Sequence, residues 1–237
     1  MLVFVVSLER SMARREAVSV SLKDAGVPFE IARAVDGRAG EHHAFANYCE
    51  RRMLERTGRV LSVGEVGCFA SHYRLWQVCA ELCQPIVVLE DDIVVAPDFA
   101  RVLALAGGEI GQHQLIRLFA VTERRHAVIS QLSSPFQLIR YLKGPYGTQA
   151  YVLSPDGAKA LLKSAAHWHA PVDRYLDSPW LHGLDIIAMK PFRVAHGGFE
   201  SEIERRGEGT GLVDGARRSL DRLQTHVSRA VFNIARN

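Results

Sequence analysis

The chain has 237 residues, 48% of them hydrophobic and 23% charged, which suits a soluble protein with one domain and a sizeable core. Its net charge of +3 is too small to indicate a nucleic-acid partner, and no stretch approaches the roughly 18 apolar residues of a membrane span. The cysteines Cys49, Cys68, Cys79 and Cys83 form no Cys-x-x-Cys pair, and three lie in apolar surroundings. Buried, reduced thiols and a cytoplasmic location are therefore expected.

The first residues predict the start of a nucleotide-binding sheet. An apolar run over residues 2–8 is too short for a signal peptide and has no basic segment before it, so a buried strand is expected. A helix follows, with Ser11 as its N-cap and Gly26 as its stop. A second strand over residues 29–35 ends at Asp36. Strand, helix and strand within about 35 residues form a βαβ unit.

The middle of the chain contains an apolar run that leads directly into three carboxylates. Residues 85–89 are mostly β-branched, and Glu90, Asp91 and Asp92 follow. Such a run is typical of a central strand of a parallel sheet, and ligands bind at the carboxyl ends of these strands. Adjacent carboxylates repel one another, and Mg²⁺ or Mn²⁺ would compensate them through oxygen ligation. A solvated acidic loop is the alternative interpretation.

Further elements are expected on both sides of this motif. A loop with a short helix is predicted over residues 38–60, followed by a helix from Gly64 to Cys83. A helix is also predicted over residues 99–106, strands over 114–120, 148–154, 185–189 and 192–195, a hairpin with loops over 121–146, and helices beginning at Pro155 and Pro171.

The end of the chain has a different pattern, so we separate a domain over residues 1–206 from a tail over 207–237. After a glycine-rich link, apolar residues recur at helical spacing and arginines fall between them. A basic amphipathic helix of this kind can lie on an anionic membrane surface, or pack on its own domain or on another subunit. The apolar positions are Leu212, Ala216, Leu220, Leu223, Val227, Val231 and Ile234, and the basic ones are Arg217, Arg218, Arg222, Arg229 and Arg236.

Five short sequence blocks occur in a fixed order between residues 2 and about 204. They are Val6–Arg10 with Arg14, Arg15 and then Ala34–Gly37; Gly64–Cys68 with Ser71 and His72; Leu89–Asp92 with Pro97–Phe99; Gly147–Ser154; and Pro171–Asp173. Together they resemble the motifs of glycosyltransferase family 25, which includes bacterial lipooligosaccharide galactosyltransferases and the collagen galactosyltransferase domains of animals.

The resemblance implies a GT-A-like fold, in which a Rossmann-type mixed sheet is flanked by helices, here with the basic amphipathic helix added at the C-terminus. It also implies inverting transfer of a sugar, most often galactose, from a UDP-sugar to a hydroxyl of a lipooligosaccharide or another glycan. Mn²⁺ or Mg²⁺ is the implied cofactor. The expected location is the cytoplasm, where the basic tail would suit a lipid-linked acceptor at the inner face of the cytoplasmic membrane.

Roles for single residues follow from the resemblance and from their chemistry. Asp92 is expected to be the principal metal ligand, and Glu90 projects to the same side if strand geometry continues that far. Asp173 is the candidate general base, although a plain first-turn aspartate is the alternative, and Asp177 and Asp185 are reserves. His196 is a third candidate metal ligand. The candidate donor-binding residues are Ser7, Leu8, Arg10, Arg15, Asp36, Ser71, His72, Glu90 and Asp91.

Two other functions use the same motif. An inactive sugar- or nucleotide-binding module could share the fold, and a nucleotidyltransferase or a phosphatase could use the acidic motif. Those two chemistries usually need more carboxylates or a glycine loop that cradles phosphate, and neither is evident in the sequence. Asp36 could likewise be only the first residue of an Asp-Gly turn.

Overall fold

The apolar runs of the sequence form the strands of a layered α/β structure. The computed structural model of the chain describes residues 1–199 and 212–236. The strands are β1 (Leu2–Ser7), β2 (Glu30–Arg33), β3 (Ile86–Glu90), β4 (Ile93–Val95), β5 (Leu115–Arg117), β6 (His126–Gln131), β7 (Gln137–Tyr141), β8 (Ala150–Leu153), β9 (Ile187–Lys190) and β10 (Val194–His196). The helices are α1 (Met12–Asp24), α2 (Glu50–Thr57), α3 (Val63–Leu82), α4 (Phe99–His113), α5 (Pro155–Ser164), α6 (Val172–Leu176), α7 (Pro179–His182) and α8 (Leu212–Ala235), with a 3-10 turn at Glu41–Ala44.

Within the described residues the strands form an eight-stranded mixed sheet in the order β2-β1-β3-β8-β5-β9-β7-β6. The predicted α/β class, with a mixed sheet flanked by helices and a helix at the C-terminal end, is confirmed. The acidic strand β3 is central, but its surroundings are not wholly parallel as expected. β1 runs parallel to it, whereas β8 is antiparallel to it. β4 and β10 form a second, two-stranded antiparallel ladder.

Alternation along the strands divides the hydrophobic core between the two faces of the sheet. Phe4 and Val88 face a cluster that includes Trp76 of α3. Val5 and Leu89, which are their neighbours along the chain, face the opposite cluster around α1 and α4. Because successive strand residues point to opposite faces, β1 and β3 bury apolar side chains on both sides. This burial fixes where β3 ends, and therefore where the acidic motif begins.

A capping box determines the start of α3. The backbone N–H of Glu65 donates to Ser62 Oγ at 3.2 Å, and Glu65 Oε2 accepts from the backbone N–H of Ser62 at 2.8 Å. Reciprocal bonds of this kind satisfy two N–H groups that have no partner within the helix. The helix therefore begins at Val63, one residue before the predicted start, and this sets the direction of every side chain along it.

Two expectations from the sequence are corrected. α4 does not end near residue 106 but continues to His113, so the glycines within it lie inside a helix whose apolar face is held by the core. All four cysteines are free, yet Cys49 and Cys83 are exposed rather than buried. Cys83 is the left-handed C-cap of α3, with φ of 52°, which places it outside the apolar surroundings that its neighbours predicted.

The C-terminal helix α8 lies on the domain through its polar face. Arg218 donates to the carbonyl oxygen of Gly58 at 3.1 Å, and Asn233 donates to that of Leu142 at 2.9 Å. The predicted glycine-rich link over residues 207–211 and the boundary at residue 206 lie outside the described residues. In the part of the chain that is described, no helix combines the length and apolarity required to cross a bilayer.

A buried ion pair connects the sheet to the loop that precedes β8. Arg117, the last residue of β5, lies with one guanidinium nitrogen 2.6 Å from Asp177 Oδ1 and donates from the other to the carbonyl oxygen of Gly147. Asp177 Oδ2 accepts from the backbone N–H of Tyr146 at 2.8 Å. Burial raises the pKa of Asp177, and the charge of Arg117 opposes that rise. The pair thus holds residues 146 and 147 in place.

Asp177→Ala should lower the free energy of unfolding by about 3–5 kcal/mol, because it leaves the Arg117 guanidinium buried without its counter-charge. Urea denaturation followed by circular dichroism measures this change. The matched control is Glu55→Ala, which removes the exposed pair with Arg51 and should change stability by less than about 0.5 kcal/mol. Equal effects of the two substitutions would contradict the role assigned to the buried pair.

Candidate active site

The acidic motif lies in a cleft of ≈ 840 Å³ at the carboxyl ends of β1 and β3. Glu90, Asp91 and Asp92 line it together with His72 of α3 and Asp173 of α6. Loops after parallel strands open at one edge of a sheet, so residues far apart in the sequence meet there. The cleft is therefore where most of the predicted site residues converge.

Only the first of the three acids belongs to the strand. β3 ends at Glu90, and Asp91 and Asp92 form the turn that leads into β4. Strand geometry was expected to place Glu90 and Asp92 on one side, but Asp92 lies in a turn, so this explanation is wrong. Both residues nevertheless line the cleft, because the turn brings Asp92 round towards it.

Glu90 is held by partners from α3 and from the loop before β8. His72 Nε2 lies 3.3 Å from Glu90 Oε1, and the hydroxyl of Thr148 donates to the same oxygen. Burial alone would raise the pKa of Glu90, but the contacts with His72 and Thr148 outweigh it and lower the pKa below its ordinary value. Glu90 is therefore ionised at neutral pH despite its burial.

The ring of His72 is oriented from behind by two aromatic side chains. Its Nδ1 lies 2.9 Å from the hydroxyl of Tyr151, and Trp76 Nε1 donates to that hydroxyl at 2.9 Å. All three side chains are buried. This chain of contacts places Nε2 of His72 beside the acidic motif, and its role at a donor site stays a prediction.

Asp91 is compensated by α1 and by the end of β1. Arg14 Nη1 lies 3.4 Å from Asp91 Oδ1. Burial raises the pKa of Asp91, while the hydrogen bond from Ser7 and the charge of Arg14 oppose that rise. Ser7 is buried beneath the motif, so it contacts Asp91 instead of facing the cleft directly.

Asp92 is the least compensated of the three acids. Burial, and then the charge of Glu90, raise its pKa to about 6. Its Oδ2 lies 3.4 Å from His196 Nε2, whereas its Oδ1 is buried with no hydrogen-bond partner among the described residues. His196 reaches this position because β10 pairs with β4 and sets it opposite Ile93. An unpartnered buried oxygen beside an imidazole and a second carboxylate fits a divalent cation.

The candidate donor residues after β1 and β2 occupy the neighbouring wall. Leu8, Arg10 and Asp36 all line the cleft, and Arg10 forms an ion pair with Asp36. Asp36 Oδ1 also accepts from the backbone N–H of Arg38 at 2.9 Å, so this aspartate caps its own turn. The turn interpretation of Asp36 is thus correct structurally, and its contact with a donor stays a prediction.

Arg15 requires a correction. Its Nη2 donates to the carbonyl oxygen of Leu8 at 2.8 Å and its Nε to Ser7 Oγ at 3.4 Å, and it does not line the cleft. Arg14 does line it. Consecutive helix residues point about 100° apart, so only one of two adjacent arginines can face the cleft, and the sequence alone did not show which.

Ser71 lines the cleft but is already engaged with backbone. It accepts from the N–H of Val35 at 2.8 Å and donates to the carbonyl oxygen of Gly67 at 2.7 Å. The backbones approach closely here, since a Cβ at Gly67 would lie 2.6 Å from the oxygen of Val35, and one at Gly37 would lie 1.8 Å from that of Val63. The glycines of these two sequence blocks are therefore required for α3 to contact the loop after β2.

Asp173 lies in the first turn of α6 and lines the same cleft, with Oδ1 accepting from the backbone N–H of Arg174 at 2.7 Å. The reserve candidates do not line it: Asp177 is bound to Arg117, and Asp185 lies 3.7 Å from Arg236. Sequence reasoning missed several residues that do line it, of which Arg14, Cys68 and Thr148 lay inside the blocks already singled out. The residues missed are Arg14, Arg38, Arg59, Cys68, Tyr146, Thr148 and Arg174.

Comparisons with known proteins identify the family of the chain. The sequence model of glycosyltransferase family 25 (LPS biosynthesis protein) matches residues 1–176. The mouse protein named inactive glycosyltransferase 25 family member 3 is 31% identical over 182 residues, covering 73% of this chain and 31% of that protein. Zebrafish procollagen galactosyltransferase 1 is 30% identical over 187 residues, covering 73% of this chain and 30% of that protein. The chain thus spans about a third of the length of these curated relatives.

Among solved structures, a Bacillus anthracis protein assigned as a glucose-1-phosphate thymidylyltransferase, in complex with sucrose, aligns with a TM-score of 0.33. Its sequence identity is 11%, over 92% of this chain and 75% of that chain. A likeness this low carries no argument about function. The named relatives include inactive and active proteins alike, so the activity of this chain has to be argued from its own residues.

Asp92→Asn should stabilise the metal-free protein at about pH 7.5 by about 1–3 kcal/mol. The pKa of Asp92 in the folded chain is about 6 against an ordinary 3.8, so the folded state binds more protons between those values and loses stability as the pH rises through them. Asparagine carries no charge, and its advantage should therefore vanish below about pH 4. Thermal denaturation in chelator-treated buffer at several pH values measures this effect.

The control for this substitution is Asp24→Asn, which changes an exposed aspartate at the end of α1 and should give a small difference that does not vary with pH. A destabilised Asp92→Asn protein at neutral pH would show that the Asp92 carboxylate is already well compensated, and the argument for a cation there would fail.

Proposed function

Because this chain belongs to glycosyltransferase family 25, we propose that it is an active glycosyltransferase that moves a sugar, with galactose the first candidate, from a UDP-sugar to a glycan hydroxyl. We propose further that transfer inverts the anomeric centre and depends on Mn²⁺ or Mg²⁺, and that a lipooligosaccharide is the acceptor. The observation that carries the proposal is the uncompensated carboxylate of Asp92, with a raised pKa and an unpartnered oxygen, at the carboxyl end of the central strand.

The metal would be held by Asp92 and His196, with Glu90 beside them. When bound, it neutralises the charge that develops on the leaving diphosphate. Guanidinium groups suit phosphate oxygens, and Arg10, Arg14 and Arg38 line the same cleft. Leu8 and Asp36 lie next to Arg10 and are placed to contact the nucleoside. The cleft thus offers a binding surface of the charge that a nucleoside diphosphate requires.

Inversion requires a base that takes the proton from the acceptor hydroxyl as it attacks. Asp173 supports this role because it lines the cleft on an element separate from the donor-side loops. Asp177 does not, because its carboxylate is buried in an ion pair with Arg117. We therefore assign proton abstraction to Asp173.

The inactive-module alternative is weakened by the intact acidic motif. A protein without a use for a cation gains nothing from an ionisable group such as Asp92, whose burial lowers stability at neutral pH. A nucleotidyltransferase would also use such a carboxylate, but it would release pyrophosphate instead of UDP. The product of the reaction therefore separates the two chemistries.

The outer face of α8 supports a membrane contact. Arg218 and Asn233 bond to the domain, and six apolar side chains of the helix are turned to solvent, between 54% and 76% exposed. Five arginines against two aspartates between residues 212 and 236 make the helix basic. We propose that this apolar stripe docks the protein on the anionic inner face of the cytoplasmic membrane, where a lipid-linked acceptor would be found. The stripe consists of Val213, Leu220, Leu223, Val227, Val231 and Ile234.

UDP-galactose, UDP-glucose and a UDP-amino sugar are offered separately, each with Mn²⁺ and a lipooligosaccharide acceptor. UDP should be released from one of the three donors. Asp92→Ala should lower that rate by about 100-fold or more, because neutralising the leaving group contributes several kcal/mol. Asp173→Asn should lower acceptor-dependent release by about 10²–10⁴-fold while leaving donor affinity within a few-fold.

Asp156→Ala is the control, since this exposed aspartate on α5 lies outside the cleft. Release of pyrophosphate from a nucleoside triphosphate and a sugar 1-phosphate, offered in place of the UDP-sugar, would establish the nucleotidyltransferase alternative. Donor binding without any release would establish an inactive binding module.

Vesicles of phosphatidylcholine and phosphatidylglycerol should co-sediment with the protein, and a variant with Leu220→Asp and Val227→Asp should bind at least tenfold more weakly, because buried apolar area is lost. Ser219→Asp with Gln224→Asp adds the same charge at exposed polar positions of α8 and should have a smaller effect. If the wild type instead forms dimers that the aspartate pair dissociates, a second copy covers the stripe, and the membrane proposal is wrong.

A further inference from the structure

A second set of potential metal ligands lines the same cleft as Asp92. Cys68 and His72 are one turn apart on α3, and Glu90 ends the adjacent strand β3. The sulfur of Cys68, a ring nitrogen of His72 and a carboxylate oxygen of Glu90 all lie within 4.8 Å of one another. We propose that these three residues bind a soft divalent cation of the zinc type, at a site that adjoins the one proposed at Asp92 and takes Cys68 and His72, in place of Asp92 and His196, as its other ligands.

The first support is the state of His72. Its side chain is 1% exposed, and its Nε2 has no hydrogen-bond partner with good geometry among the described residues, although Glu90 lies 3.3 Å away. A contact without hydrogen-bond geometry satisfies a buried imidazole nitrogen poorly, and a cation that accepts its lone pair would satisfy it fully. The contact with Glu90 places this nitrogen beside another of the three ligands.

The second support is the contact on the far side of the ring. Ligating histidines usually bond through their other nitrogen to a fixed group, which sets the ring orientation. Here Nδ1 lies 2.9 Å from the hydroxyl of Tyr151, and Trp76 holds that hydroxyl in turn. The ring is thus held in the orientation that coordination through Nε2 requires, before any metal binds.

The chemistry of the three atoms decides which cation fits. Mn²⁺ and Mg²⁺ favour oxygen, whereas thiolate and imidazole ligands favour zinc and its chemical relatives. The spacing Cys-x-x-x-His puts both ligands on one face of α3, and Glu90 completes a three-residue set. All three residues line the cleft, so a fourth position stays open to water or to a ligand.

Cys68 supplies the sulfur ligand of the set. Binding converts the thiol to a thiolate that bonds to the metal, and the proton leaves to solvent. The reaction needs no other reactant.

Cobalt(II) is the direct probe, because a thiolate–cobalt bond gives an intense near-ultraviolet absorption band. The reduced full-length protein should develop this band with one equivalent of Co²⁺ and lose it when Zn²⁺ is added. Cys68→Ser should abolish the band and weaken Zn²⁺ affinity by at least tenfold, measured by competition with a chromogenic chelator. His72→Asn should weaken Zn²⁺ affinity by a similar factor.

Cys49→Ser and Cys83→Ser are the matched controls, since they remove exposed thiols and should leave the band unchanged. Cys68→Ala provides a second test if the serine variant folds poorly by circular dichroism. Absence of the band in the wild type, or its persistence without Cys68, would overturn the proposal. Asp92→Asn should retain the cobalt band but lose binding of Mn²⁺ measured by electron paramagnetic resonance, so failure of this site and of the site at Asp92 can be distinguished.

Discussion

The structure is organised by the need to compensate three carboxyl groups at the end of a buried strand. Each acid receives a partner from a different element: Glu90 from α3, Asp91 from α1 and Asp92 from β10. Asp92 is less well compensated than Glu90, since it has only an imidazole at 3.4 Å and retains an unpartnered oxygen. The fold therefore concentrates negative charge that its own cations do not fully neutralise, and this favours a bound cation.

The local pattern of the sequence predicted much of this arrangement. Apolar runs located β1 and β3, and the Ser62–Glu65 capping pattern explains where α3 starts. These features depend on neighbours in the chain, so periodicity and capping residues reveal them. The convergence of most candidate residues on one cleft followed from the rule that ligands bind at the carboxyl ends of strands.

Other features depend on contacts between distant segments, which a single sequence does not encode visibly. Nothing near Arg117 indicates that it pairs with Asp177, sixty positions later. The rotation of α1 decides between Arg14 and Arg15, and both positions look equally basic. In α8 the periodicity predicted an amphipathic helix but not which face meets the domain. The polar face does so, because backbone carbonyls of the domain accept from its side chains.

The glycine contact between α3 and the loop after β2 limits how the cleft can open. With hydrogen atoms in place of side chains at Gly37 and Gly67, backbone lies against backbone and leaves no compressible layer between them. The wall that carries Asp36 and the helix that carries His72 must then move together as a rigid body. His196 is held separately, as the last residue of a short two-stranded ladder with β4 that takes no part in this contact.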